Sequence, residues 1–246
     1  MDAFIQVMES MLAVKDPYTV THQREVTRIA CTIAQDLGLS EDRLRDLCIA
    51  GALHDLGKIA IPSGLLAKSG KLNAMEFALL KTHPEVAYNI LKPIKLPGNA
   101  AEIILQHHER LDGSGYPQGL MGRAIFLEAR ILGVADVIEA MFSHRPYRAS
   151  LGISAITGEL KRNKGVLYDA AVVEITLQLL APDQSVTPAE TCGLSATAVT
   201  HMHYSAFLSD AAPVQPGSLL GKDYSGLKTW GVEYASISPP RVGRNH

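Results

Sequence analysis

Cysteine is scarce in this chain. Cys31, Cys48 and Cys192 are its whole complement, and no two stand at Cys-x-x-Cys spacing. That absence excludes a thiolate zinc knot and argues against a disulfide framework. Cys31 and Cys48 fall on apolar-periodic segments and read as buried, reduced thiols, in keeping with a reducing cytoplasm. An excess of either charge is also missing: 23 Lys and Arg stand against 25 Asp and Glu, a formal net charge of -2. A nucleic-acid polymer needs a basic stripe, so none is expected as a partner. Any anionic substrate must be captured by local cations. No apolar run approaches the ~18 residues of a membrane span. The start, Met1-Asp2-Ala3, lacks a basic stretch, so a secretory signal is not expected and the expected compartment is the cytoplasm. Strand-like alternation and internal repeats are absent as well.

What is present is helical periodicity over a 47% apolar composition, enough for a sizeable core. Val26, Ile29, Ala30, Ile33, Ala34 and Leu37 form one amphipathic stripe, and Gly38 supplies a stop. A second helix starts after Ser40, with Leu44, Leu47, Cys48 and Ala52 leading to His54-Asp55 and a stop at Gly57. Asn73 is placed to cap a helix into Leu79-Leu80, and Pro84 suits the first turn of one ending near Leu91. Further helices are expected over 100–109, 128–142, 153–162 and 169–180, with 112–119 a Gly-rich loop. The expectation is an all-α domain over 1–180. After Leu180 the period is lost, and six of the thirteen prolines lie in the last 66 residues. Residues 181–246 read as a poorly ordered extension. Short partner-binding pieces around Trp230 and Tyr234 are one reading of it, and no specific function is the other.

Two doublets carry the chemistry, His54-Asp55 and His107-His108-Glu109. Neutral imidazole and carboxylate are ligands for divalent iron, manganese or zinc. Adjacent helical residues diverge by ~100°, so a doublet can straddle a metal site. Lys58 follows His54 by one turn; it either steadies a phosphate oxygen or leaving alkoxide, or caps a helix C-terminus through the dipole. His107 and His108 follow Ile103 and Ile104 by four residues each and continue a buried face. Two neighbouring buried imidazoles are hard to satisfy by hydrogen bonds alone, which a metal would answer. Glu109 either orients one ring or faces solvent. Asp136 interrupts Ile131-Leu132-Gly133-Val134-Ala135 and Val137-Ile138, a costly place for a charge unless it is paired or metal-bound. His22 and His83 are unremarkable singly. Arg145 and Arg148 suit a phosphate or simply solvent. Tyr116, in the loop Gly113-Ser114-Gly115-Tyr116-Pro117, offers a stacking or docking surface.

In this order the pieces resemble the HD-GYP family of cyclic di-GMP phosphodiesterases, a branch of the HD phosphohydrolases. The resemblance runs from Asp16-Pro17-Tyr18-Thr19 through His54-Asp55-Leu56-Gly57-Lys58 and His83-Pro84. It continues with 107–120, Val134-Ala135-Asp136-Val137 and Arg145-Pro146-Tyr147-Arg148, and covers roughly 10–180. It implies an HD-type helical bundle with a buried bimetal site, the metals being two divalent ions, iron or manganese by family habit. His22, His54, Asp55 and Asp136 would hold one ion, and His83, His107 and His108 the other, with Asp55 bridging. Lys58, Arg145 and Arg148 would neutralise phosphate oxygens, and Tyr116 would meet substrate. The implied reaction opens cyclic di-GMP, or a related cyclic dinucleotide, to linear pGpG and onward to GMP. The implied partner surface is the Gly115-Tyr116-Pro117 loop.

The chain departs from that pattern at several positions. Tyr18 stands where some members have a Glu that supports a third metal, which argues for two. Glu139 and His144 replace frequent Asp residues, Ala87 a common Gly and Ala170 a common Pro. None of these removes an implied ligand. A non-catalytic cyclic di-GMP receptor is the competing reading.

Overall fold

A computed structural model describes residues 2–68, 70–143 and 151–181. Arg145, Arg148 and all but the first residue of the expected 181–246 extension lie outside the described residues. Among the described residues ten α-helices form and no strand does. They are α1 (Asp2–Lys15), α2 (Pro17–Asp36), α3 (Glu41–Leu53), α4 (Ser63–Leu66), α5 (Ala74–Leu80), α6 (His83–Leu91), α7 (Ala100–Gln106), α8 (Leu127–Phe142), α9 (Gly152–Asn163) and α10 (Ala170–Leu179). None is long and apolar enough to cross a membrane. The all-helical expectation holds.

The local signals act as their chemistry requires. Val26, Ala30, Ile33 and Ala34 are buried on α2. That helix ends in paired bonds from Gly38 N to Gln35 O, 2.9 Å, and from Leu39 N to Ala34 O, 3.0 Å, which satisfy two of its last carbonyls. Asn73 and Glu76 form a reciprocal capping box at the start of α5. Asp169 caps α10 by accepting from Ala171 N and Val172 N. The helix α1 had no place in the sequence expectation. It buries Ile5, Glu9 and Leu12 but leaves Val7, Met11 and Val14 exposed, so apolar residues lie on both faces and blur its period.

At the centre, α2 packs against α3 and α8, while α7 lies against α3, α6 and α8. Cys31 on α2 and Cys48 on α3 are joined as a disulfide, with Cα atoms 6.5 Å apart. This corrects the expectation of two separate reduced thiols: the facing sides of two packed helices bring the sulfurs together.

Two glycines set how closely the site-bearing segments approach. A Cβ on Gly57 would collide with the backbone of His83 and Ala87; the bare Gly57 lets the start of α6 lie directly on the turn after α3. A Cβ on Gly133 would meet the carbonyl oxygen of His107 at 2.5 Å, so α8 likewise packs on the end of α7. Gly57→Ala is therefore expected to destabilise the fold by about 2–3 kcal/mol, the cost of overpacking a tight contact. A urea unfolding curve reads this as a lowered midpoint, and an unchanged midpoint contradicts the close-approach account.

Candidate metal centre

Seven side chains from five segments meet in one buried cluster. His22 comes from α2, His54 and Asp55 from the turn after α3, and His83 from the first turn of α6. His107 and His108 come from the turn after α7, and Asp136 from the middle of α8. Three ligand-spaced groups result, each with its donor atoms within 4.8 Å of one another: His22, His54 and Asp136; His54, Asp55 and His107; His83, His107 and His108.

The end of a helix explains most of this placement. His54, His83 and His107 each place Nδ1 against the carbonyl oxygen three residues back: Gly51 at 2.8 Å, Leu80 at 2.8 Å and Ile104 at 2.6 Å. These carbonyls belong to the last turns of α3, α5 and α7, where helix oxygens lack backbone partners. A carbonyl can only accept, so Nδ1 carries the proton and Nε2 keeps its lone pair. The Nε2 atoms of His54 and His107 are buried and have no hydrogen-bond partner. Buried lone pairs of fixed direction are costly unless something electrophilic meets them. A divalent metal fits that donor set.

The helix expected over 100–109 stops at Gln106, and this correction has a physical reason. On a continued helix His107 and His108 would diverge by ~100°. The turn instead lets both rings enter the cluster, with centroids 3.8 Å apart. Both roles expected of Glu109, orienting a ring or facing solvent, are corrected. Its buried carboxylate accepts from Gln118 N at 2.7 Å and Leu120 N at 2.9 Å, and so holds the Gly-rich loop. The loop in turn lays Tyr116 on His108, ring centroids 4.8 Å apart.

Asp55 faces two ways. Its Oδ2 lies 3.7 Å from His22 Nε2, 3.7 Å from His54 Nε2 and 2.7 Å from Lys58 Nζ. Its Oδ1 lies 3.6 Å from His83 Nε2. The carboxylate is 2% exposed. Burial alone would raise its pKa, but Lys58, His54 and His22 hold it well below the usual carboxylate range. Lys58 thus pairs with Asp55, and at 27% exposed it stands at the edge of the cluster. The sequence offered Lys58 as a helix cap or a phosphate contact; neither reading included this pairing.

Burial also depresses the imidazoles. His83 falls to about 4, with desolvation the largest cause. His54, His107 and His108 shift down for the same reason. His22 moves the other way, to about 9. Burial would lower it, but hydrogen bonds to Asp136 and Glu139 outweigh that. His22 sits within α2, where the carbonyls are already used, so its Nδ1 takes Glu139 as partner instead. Its Nε2 lies 3.2 Å from Asp136 Oδ1. Asp136 is depressed below its ordinary range by His22, against the opposing effect of burial.

Glu139 was noted in the sequence only as a departure with a longer arm. The missed signal is its position, one turn beyond Asp136 in the same apolar stretch of α8. Glu139→Gln is expected to lower metal affinity or turnover roughly tenfold to a hundredfold, as for other groups that orient a ligand. Metal titration of the variant checks this, and wild-type affinity and turnover together contradict it.

Among known proteins, a sequence profile described as the HD domain matches residues 6–172. The cyclic di-GMP phosphodiesterase response regulator RpfG of Xanthomonas campestris is 40% identical over 186 residues, 75% of this chain and 48% of that protein. The 3'3'-cGAMP-specific phosphodiesterase 1 of Vibrio cholerae is 36% identical over 150 residues, 61% of this chain and 35% of that one. The chain thus spans about half the length, or less, of these curated relatives. Among solved structures, Bd1817 of Bdellovibrio bacteriovorus, titled an HDG"Y"P protein, superposes with a TM-score of 0.56 at 20% identity. That match covers 65% of this chain and 52% of the other, and it speaks for the fold.

Proposed function

Because this chain belongs to the HD-domain family, we propose that it is a metal-dependent phosphodiesterase that opens cyclic di-GMP to linear pGpG and carries it onward to GMP. The observation that carries this reading is Asp55, whose two oxygens face two separate groups of imidazoles. His22, His54 and Asp136 would hold one divalent ion and His83, His107 and His108 the other, with Asp55 shared between them. The donors are all nitrogen and oxygen, without thiolate, which suits iron or manganese. When bound, two such ions supply positive charge to a phosphodiester and bring the pKa of a shared water toward neutrality.

The chain's own residues would do the rest. The helix-end carbonyls fix His54, His83 and His107 with Nε2 inward, so the donors need no rearrangement at the moment of reaction. Lys58 would neutralise a non-bridging phosphate oxygen or the leaving 3′ oxygen, moving between Asp55 and substrate. Tyr116, held on His108 by the Glu109-anchored loop, would wall the site and meet the nucleotide. Arg145 and Arg148 remain proposed phosphate contacts on the strength of the resemblance. The Gly115-Tyr116-Pro117 loop is the proposed docking surface for a protein partner. The cytoplasm is the proposed compartment.

The 36% identity to a 3'3'-cGAMP-specific enzyme favours a second substrate, the mixed cyclic dinucleotide. One experiment separates the readings: anaerobically prepared, metal-loaded protein is given cyclic di-GMP, 3'3'-cGAMP and cyclic di-AMP, and binding and products are followed together. Cleavage of cyclic di-GMP in preference to the others supports the proposal. Preference for the mixed dinucleotide replaces it with the second reading. Tight binding without product makes the protein a receptor.

A further inference from the structure

We infer that Lys81 is a second anion anchor, which holds the phosphodiester of a cyclic dinucleotide that is not being cut. The inference rests on the substrate reading above and deepens it. A cyclic dinucleotide carries two phosphodiesters in one ring, so while one lies at the imidazole cluster the other must rest on protein or in water.

The geometry supplies a cation for it. Lys81 closes α5, one turn beyond Phe77 on the same face. Its Nζ lies 5.3 Å from the centroid of the Phe77 ring and 5.8 Å from that of Tyr116. The Tyr116 ring in turn lies 4.8 Å from that of His108. A line of contact therefore runs from the metal-ligand cluster through one aromatic ring to an ammonium group.

The place of that ammonium, half-buried over a ring that itself lies on His108, is what makes it informative. Lys58 pairs with Asp55, Lys68 with Glu76 and Lys164 with Glu174, while Lys92, an exposed residue, lies over the Tyr88 ring. Lys81, half-buried, has two ring faces and no carboxylate among the described residues. Ring faces attract the charge without consuming its N–H donors as a carboxylate would. They also restrain a side chain that otherwise loses much rotamer freedom on binding. The group is thus a positioned cation with donors to spare, beside a site built for a phosphodiester. Its role is positioning and selection of cyclic dinucleotides over simple diesters, apart from bond breaking.

The test uses the full chain, metal-loaded, with cyclic di-GMP and with bis(p-nitrophenyl) phosphate, which carries a single phosphate. Lys81→Met keeps the stem and removes the charge, while Lys81→Arg keeps the charge. For Lys81→Met the KM for cyclic di-GMP is expected to rise about tenfold or more, the loss of one charge-assisted hydrogen bond. Its kcat should change far less, and hydrolysis of the simple diester should fall by less than about twofold, since uniform binding is what is lost. Lys81→Arg should recover most of the KM. Wild-type cleavage of cyclic di-GMP with an unchanged KM in Lys81→Met overturns the anchor alone. So does an equal loss on both substrates, which marks a packing role. A wild-type protein that cleaves the simple diester and no cyclic dinucleotide overturns the substrate reading, and the anchor with it.

Discussion

Asp55→Ala is expected to lose bound metal and at least about 1,000-fold in turnover, while the far-ultraviolet helical signal stays near that of the wild type. The loss follows from where its oxygens point. Oδ2 serves His22, His54 and Lys58, and Oδ1 serves His83. Removing the carboxylate deprives both proposed ion sites of a ligand at once, whereas loss of His83 or Asp136 would deprive only one. Three decades in rate correspond to ~4 kcal/mol of transition-state stabilisation, which is within what metal-held charge supplies. The helices are held by a separate apolar core that includes Val26, Leu53, Ile104 and Leu132, so secondary structure should persist. Removing one partner of a buried charged group still carries a cost, because Lys58 and His22 lose a counter-charge. A lowered thermal midpoint is therefore part of the expected result. Asp55→Asn separates shape from charge, and it should lose metal as Asp55→Ala does. Full metal content with full activity in Asp55→Ala contradicts the shared-carboxylate assignment.

Stripping the protein with a chelator is expected to lower its thermal midpoint by about 10 °C or more. A ligand that binds only the folded state at 1,000 times its Kd contributes ~4 kcal/mol, and 1 kcal/mol shifts a domain of this size by roughly 2–4 °C. The stripped protein should also be sensitive to acid, and the sign follows from the pKa directions. His83 sits at about 4, below its ordinary value, because burial disfavours its charged form. His54, His107 and His108 shift in the same sense. As pH falls from about 6.5 toward 4 the unfolded chain takes up protons that the folded chain refuses, so stability is lost across that window. His22 opposes this at the other end. Its pKa of about 9 means that its contribution is present below pH ~6.5 and fades as pH rises through 9. Calorimetry of stripped and reloaded protein between pH 4.5 and pH 8 measures both effects, with buffers chosen at about those limits. A midpoint indifferent to metal, or one that rises on acidification below pH ~6.5, contradicts this picture of buried neutral imidazoles.

Much of the fold was legible in the sequence because its signals are local. The α2 stripe, the Asn73 cap and the Gly38 stop each depend on residues within one or two turns. The metal-ligand candidates were legible for a different reason: His107-His108 and Asp136 are residue types that an apolar face does not tolerate without a partner. What escaped was what depends on contacts distant in sequence. The closeness of Cys31 and Cys48 follows from how α2 packs on α3. The role of Glu109 depends on backbone N–H groups at Gln118 and Leu120, nine and eleven residues on. The partnership of His22 with Glu139 spans 117 residues, and no periodicity encodes it. The end of α7 at Gln106 was missed because its cause lies in the cluster that its two histidines turn to reach. Lys81 carried no signal at all, since a lysine at a helix end ordinarily interacts with the dipole.

The proposed chemistry depends on two ions sharing one carboxylate, and electron paramagnetic resonance of the manganese-loaded protein tests this directly. Two ions held by one shared carboxylate would be ~3.5–4 Å apart and would couple magnetically. The predicted spectrum is that of an exchange-coupled pair, which reverts in Asp55→Ala to the hyperfine pattern of isolated manganese or to none. A wild-type spectrum of isolated, uncoupled ions at full loading would contradict the account.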